Sequence, residues 1–283
     1  MLKSRLCIAF FAFAVGCAPA QKPLTDYVNP MLGTATLWDS VDLGFKPTKR
    51  TWGAEVFPGS SLPNAMVQVS PVTKFHSGAG YQYEDSVIYG FTHTNKGHWN
   101  LCHIPLLPVT GTPTPGDYCS PFSHERESAA PGYYQVFLDR YGVDAQLSST
   151  LRCAFHKYTY PAGAAASLLA DLQRSNEHVR AWDIRKEGDN VFAGWQQTGE
   201  KMYFYAVANR PVTGIEPVVE GDREVRIVRF GEGDGALELR IGFSFVSEKN
   251  ARENLEAEML GKSFAEVRSE ATATWNDLLG RIR

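Results

Sequence analysis

Two short segments gather side chains suited to holding a sugar. The run GFTHTNKGHW places His93 and His98 five residues apart, with Trp99 adjoining. A neutral imidazole both donates and accepts, as a hydroxyl does. An indole face packs against pyranose C–H groups. The second segment sets Phe75 and His76 just before Ser77-Gly78-Ala79-Gly80-Tyr81. Each residue also has a plainer reading. His93 reads equally as a buried imidazole satisfied by backbone, His98 and Trp99 as a loop tip packed on the body, and Phe75 as core. Tyr81 and Tyr83 alternate as on one face of a strand, where packing explains them. Because Phe75–His76 and His93–Trp99 bracket the stretch from Tyr81 to Phe91, a hairpin-like return would bring all five to one concave end.

Carboxylates fit a chemical role less well. Cleaving a glycosidic bond takes an acid and a base on either side of it. Within or beside the aromatic block stand Glu84, Asp85, Glu125 and Glu127. The first two read as turn residues, and the last two, flanking Arg126, as a loop ion pair. The Ser77–Gly80 run lacks the strand–Ser–helix setting of a nucleophile elbow, and the chain carries no phosphate-cradling glycine motif.

These residues need a scaffold, and the pattern supplies strands. VQVSPV, YYQVFLDR, VDAQLSST, AFHKYTY, KMYFYAVANR, REVRIVRF and ALELRIGFSFV are short, aromatic or β-branched, and roughly alternating. Glycine-rich turns at 131–132, 187–189, 220–222 and 231–235 separate them. Many strands without intervening long helices predict a mainly β fold, a large antiparallel β-sandwich over residues 21–247. After Ser247 the period changes. Glu248–Leu260 and Phe264–Ile282 read as two C-terminal helices within a 248–283 segment, the second opened by a Ser263/Glu266 capping box.

Composition narrows the partners. The chain has 283 residues and is 43% hydrophobic, enough for a sizeable core. Its 28 Lys and Arg against 31 Asp and Glu give a net charge of −3 with no basic block, which argues against nucleic acid. The body has no apolar run of about 18 residues that could span a membrane. Residues 1–20 read as an export signal, with Lys3 and Arg5 ahead of the apolar Leu6–Val15 run. Two processing routes remain open: cleavage after Ala18-Pro19-Ala20, giving a secreted protein, or lipidation of Cys17, giving a periplasmic or outer-membrane lipoprotein. A lipid anchor would be the only membrane contact. Cys102, Cys119 and Cys153 are spaced 17 and 34 apart, unlike a zinc site. They read as small buried hydrophobes, with one disulfide as the alternative.

The ordered blocks YVNPMLGTA, WGAEVFPGSSLPNAMVQVSPVT, SGAGYQYEDSVIYGFTHTNKGHW, IPLLPVTG, FSHERESAAPGYYQV, AFHKYTYPAG and IGFSFVSEKNARENLEAE resemble the N-terminal domain of the family-92 glycoside hydrolases. These are calcium-dependent, inverting exo-α-mannosidases. The resemblance runs from Tyr27 to Arg283. It implies a supersandwich that recognises mannose-containing glycans, joined by linker helices to a helical toroid that holds the catalytic carboxylates and most calcium ligands. No acid, base or metal ligand is therefore carried over to this chain, whose role alone would be recognition, with a free-standing surface glycan-binding lipoprotein as the alternative. Family members read GFSHTHLSGTG where this chain reads GFTHTNKGHW, so His93 matches and Asn95 replaces a histidine. Many also carry a tryptophan near Phe75 that contacts the leaving-group sugar, a place His76 could fill. On the last helix, Trp275, Leu278 and Leu279 would form an exposed apolar patch without the toroid.

Overall fold

The computed structural model describes residues 22–36, 44, 54–96 and 100–281. The expected leader, Cys17, His98 and Trp99 lie outside the described residues. The first strands in chain order are β1 (Ser60–Ser61), β2 (Gln68–Val72), β3 (Val87–Ile88), β4 (Gly90–Thr92), β5 (Asn95–Lys96), β6 (Asn100–Leu101), β7 (Leu106–Val109), β8 (Ser120–Pro121) and β9 (Glu127–Ala130). Longer strands follow: β10 (Tyr133–Leu138), β11 (Val143–Ser149), β12 (Cys153–Thr159), β13 (Ser167–Ala170), β14 (Ala181–Gly188), β15 (Val191–Gln197), β16 (Lys201–Ala208), β17 (Val212–Glu220), β18 (Arg223–Phe230) and β19 (Leu237–Ser244). Two helices close the described chain, α1 (Glu248–Glu258) and α2 (Phe264–Leu279).

Among the described residues, two antiparallel sheets carry the fold. One has seven strands in the order β1-β2-β4-β7-β13-β18-β17, and the other eight, β14-β15-β16-β19-β12-β11-β10-β9. Alternation decides which side chains face inward. In β16, Met202, Phe204, Ala206 and Ala208 are buried while Lys201, Tyr203, Tyr205 and Val207 are half-buried on the outer face. The inward sets of both sheets merge into one core, from Val69 and Phe91 through Tyr158 and Leu168 to Phe243. The fold is the large sandwich expected from sequence.

The outer face of the eight-stranded sheet is covered by the helices. Ser247 caps α1 by accepting from Asn250 N at 3.1 Å, and the Ser263/Glu266 capping box opens α2. A second, smaller core forms beneath them from Tyr133, Cys153, Phe155, Leu255, Met259, Phe264 and Val267. Two glycines permit the close approach. A Cβ at Gly242 would lie 2.1 Å from the Ala251 carbonyl oxygen, and one at Gly132 would lie 2.6 Å from Ala271 Cβ. Gly132 also has φ of +78°, which suits the turn before β10.

The exposed patch expected on α2 is absent. Trp275 is half-buried, and its indole N–H donates to the Ser61 carbonyl at 2.7 Å. Asn276 Oδ1 accepts from Thr25 N at 3.0 Å, which ties the helix to the turn at Leu24–Tyr27. The helix docks on its own sandwich because its polar side chains satisfy backbone groups of β1 and the N-terminal turn. Tyr81 and Tyr83 also depart from expectation. They lie in a loop, with Tyr81 buried and Tyr83 exposed.

Replacing Gly242 with Ala is expected to push α1 off β19 at a cost of about 1–3 kcal/mol. Thermal denaturation should show a fall of several degrees in Tm. An unchanged Tm would mean that α1 moves without penalty.

Candidate functional site

At one end of the sandwich, three distant loops meet around a cleft of about 750 Å³. Its walls come from the loop of residues 173–180, the start of β14 with Trp182, the β17–β18 turn with Asp222 and Arg223, and His76. The polar wall contains Arg174, Glu177, His178 and Arg180, with Trp182 the large aromatic surface. Arginine, carboxylate, imidazole and indole side by side suit a polyhydroxylated ligand, which needs both donors and acceptors around a partly apolar face.

The floor is a compensated buried charge. Asp171 is fully buried, and its Oδ2 accepts from Arg223 at 2.6 Å and from the Tyr118 hydroxyl at 2.7 Å. Arg174 lies 3.8 Å from the same oxygen. Its guanidinium also sits over the rings of Phe75, Tyr89 and Tyr118 at 5.3, 5.2 and 5.8 Å. Burial, with Asp171 next, holds the Tyr118 phenol well above its ordinary range. Phe75 is thus half-buried, packed beneath Arg174 and edge-on to Tyr89, as a wall of the floor.

His76 stands at the rim, exposed, with φ of +62°. Its backbone N–H donates to Asn176 Oδ1 at 2.7 Å, and its ring Nδ1 lies 3.1 Å from the Asn176 carbonyl oxygen. Asn176 Nδ2 donates to the Gly78 carbonyl at 3.2 Å, and Asn176 N to the Leu101 carbonyl at 2.9 Å. Gln196 does similar work one layer down. Its Oε1 accepts from Ile104 N at 2.8 Å, while its Nε2 donates to the Leu172 and Arg174 carbonyls at 3.0 and 2.8 Å.

His93 is not part of the cleft. It is fully buried between the sheets and bridges them. Its Nδ1 lies 2.9 Å from the Ile104 carbonyl, and its Nε2 lies 2.9 Å from Nε2 of His156 on β12. A carbonyl only accepts, so His93 carries its proton on Nδ1 and accepts at Nε2. His156 then donates from Nε2 and accepts at Nδ1 from the Tyr158 hydroxyl at 2.6 Å. Both imidazoles are neutral in this chain of bonds. Burial drives His93 down to about 3 and His156 well below its usual value, with His93 adding to the latter effect. The sequence motif marked a structural bridge: between two apolar sheet faces each ring nitrogen finds a backbone carbonyl, a phenol or the other ring.

The carboxylates flanking Arg126 also change role. Arg126 pairs with Asp139. The Glu127 side chain is buried, and its carboxylate accepts from the Tyr81 hydroxyl at 3.0 Å and lies 2.6 Å from His124 Nδ1, with Tyr134 as a further donor. Burial ahead of the Glu127 charge holds Tyr81 and Tyr134 well above the phenol range. Thr36 N donates to Glu84 at 2.6 Å and the Thr73 hydroxyl to Asp85 at 2.8 Å, so both carboxylates hold loops together. Cys102 and Cys153 are buried, Cys119 is half-buried, and all three are free thiols.

Sequence reasoning missed Asn176, Glu177, His178, Arg180, Trp182 and Gln196. A signal was present in Ser175-Asn176-Glu177-His178-Val179-Arg180-Ala181-Trp182, a polar run with neither helical nor strand period a few residues after the apolar Leu168-Leu169-Ala170.

Residues 27–254 match the glycosyl hydrolase family 92 N-terminal domain. The chain belongs to this family. A solved family-92 α-mannosidase from Bacteroides thetaiotaomicron is 26% identical, with a TM-score of 0.80 over 92% of this chain and 38% of that one. A family-92 inverting mannosidase from the same organism superposes with a TM-score of 0.76 at 23% identity, over 92% of this chain and 36% of that one, a likeness of fold. An uncharacterized secreted glycosidase from Arthroderma benhamiae is 24% identical over 90% of this chain and 38% of its own length. The chain thus spans less than two fifths of the relatives it matches. A bacterial glucoamylase shares the fold at 10% identity, with a TM-score of 0.52 over 81% of this chain and 38% of that one.

The buried histidine pair makes the domain acid-sensitive. In the unfolded chain both rings bind a proton near pH 6.5, whereas in the native core they remain neutral. The unfolded state therefore binds more protons below pH 6.5, and stability falls as pH drops from there toward about 3. Between pH 7 and pH 5 the loss should be about 2 kcal/mol per histidine. Urea midpoints at the two pH values measure it, and equal midpoints would refute the neutral bridge.

Proposed function

We propose that this chain is the glycan-recognition part of an exported family-92 glycosidase that trims mannose from glycans or glycoproteins. The observation that carries the reading is the cleft of about 750 Å³ at one end of a family-92 N-terminal sandwich, where Arg180, Glu177, His178 and His76 stand around Trp182. One solved relative from Bacteroides thetaiotaomicron is a complex with mannoimidazole, which supports a mannoside as ligand. Within this proposal Trp182 packs on the sugar ring and the charged and imidazole groups orient its hydroxyls.

The reaction would be completed by a helical toroid domain acting with the sandwich. Mannoside hydrolysis of this kind needs an acid and a base flanking the bond. Glu127, Glu84 and Asp85 are committed to holding loops. Calcium would assist the family reaction, yet among the described residues no group of three His, Cys, Asp or Glu side chains could hold a metal ion. In this reading the calcium ligands would come mainly from the partner domain. Export is supported by the Arthroderma benhamiae relative, which is named as secreted. Lipidation of Cys17 would add a surface anchor, and His98 and Trp99 would be further sugar-contacting residues.

Methyl α-mannoside should bind the purified chain weakly, in the millimolar range of about 4 kcal/mol. Trp182→Ala should weaken binding roughly tenfold, since loss of an aromatic stack costs about 1–1.5 kcal/mol. Titration by ligand-observed NMR reads both, and unaltered binding by the variant would remove the cleft from the recognition surface. The chain alone should not hydrolyse α-mannosides. Turnover that disappears in Glu177→Gln would instead assign the catalytic pair to the cleft's own carboxylates, Glu177 and Asp222.

A further inference from the structure

We infer that Asn176 is a positioning residue that presents His76 Nε2 to the cleft as a hydrogen-bond acceptor for a ligand hydroxyl. The inference rests on the proposed glycan reading of the cleft and adds the device that makes His76 selective for a donor.

Three observations carry it. First, His76 holds a left-handed backbone at φ +62°, which a non-glycine residue keeps only when its surroundings enforce it. Asn176 supplies that enforcement from 100 residues away, accepting from His76 N at 2.7 Å and donating to the Gly78 carbonyl at 3.2 Å. Both bonds come from one side-chain amide, so the amide spans the turn and fixes its geometry. Asn176 is itself buried and held by its backbone N–H on the Leu101 carbonyl.

Second, the ring is oriented by the same residue. Nδ1 of His76 faces the Asn176 carbonyl oxygen at 3.1 Å. That oxygen can only accept, so the bond forms when the proton is on Nδ1. In the neutral ring Nε2 is then a lone pair, and no described residue occupies it. Third, His76 lines the cleft with Glu177 and Arg180. A free lone pair there accepts from an alcohol and rejects a second acceptor such as a carbonyl or ether oxygen. The ligand class this favours is a neutral polyol with a hydroxyl directed at the rim. The strained neighbours Leu101, Cys102 and Ile104, at φ of +72°, +60° and +55°, lie on the loop that Asn176 and Gln196 also grip.

Histidine side-chain nitrogen NMR of the full chain tests this, with the His76→Gln variant used to assign the His76 signals. At a pH where the ring is neutral, the wild-type His76 should carry its proton on Nδ1. Asn176→Ala keeps the main-chain carbonyl but removes the amide that holds the His76 turn, so the ring should swing away from that carbonyl, the preference should be lost, and methyl α-mannoside should bind about five- to tenfold more weakly, the effect of one hydrogen bond. Asn176→Asp keeps the acceptor for His76 N and should retain more of the binding than Asn176→Ala. A proton on Nε2 in the wild type overturns the inference. So does an Asn176→Ala variant with unchanged tautomer and affinity, or one whose affinity falls while its tautomer is unchanged. If Asn176→Ala does not fold, the tautomer of the wild-type chain still decides. The glycan reading fails separately: His76 would then show the Nδ1 proton, yet neither it nor Trp182 would respond to saturating methyl α-mannoside.

Discussion

Loops that leave a sheet must still satisfy every buried peptide group, and the cleft end of this sandwich depends on how that is done. Apart from Leu101 at the end of the short β6, the segments around His76–Gly80, Leu101–Ile104 and Leu172–Glu177 have no ladder of their own. Side-chain amides take the place of one. Asn176 joins the first segment to the third and, through its backbone, to the second. Gln196, reaching out from β15, joins the second to the third. An amide suits this work because it donates and accepts at once and carries no charge to bury. Without these two side chains the His76 and Ile104 N–H groups and the Gly78, Leu172 and Arg174 carbonyls would lose these bonds, and the loops that wall the cleft would lose their cross-ties.

Charge is handled by the same economy of partners. Asp171 would be costly alone under the cleft, but Arg223, Arg174 and Tyr118 converge on one of its oxygens. The arginines that neutralise it also form the cleft wall, so the floor and the surface are one structure. At the far margin Glu127 plays the corresponding part for Tyr81, Tyr134 and His124. The histidine bridge between the sheets is the neutral version of this arrangement. Two rings and a phenol satisfy one another in a single direction, which fixes their tautomers and excludes a proton.

The helices show how the outer face of a sheet becomes a second core. Gly242 and Gly132 remove the side chains that would hold α1 and α2 away, and Leu255, Met259, Phe264 and Val267 fill the space. The tie from Trp275 to Ser61 and from Asn276 to Thr25 then links the end of the described chain to its beginning. The helices are part of the sandwich's own packing.

The sequence by itself determined the fold class, most of the long strands, both helices and the capping box, since these follow from local period and turn chemistry. It also carried enough ordered motifs to reveal the family. Strands β13, β14, β15 and β17 are harder to read because β13 is short, β14 and β17 carry runs of exposed residues, and β15 has a central Gly194 and ends on two glutamines. Tertiary structure decided the site. Whether a histidine bridges a core or faces a ligand depends on its neighbours across the fold, and local sequence is the same in both cases. His93 and His76 are separated on exactly that ground: one meets His156 across the sheet gap, the other meets Asn176 at an open rim. The Asn176 clamp spans 100 residues of chain, and a contact of that range exists only once β2 and β13 stand in one sheet.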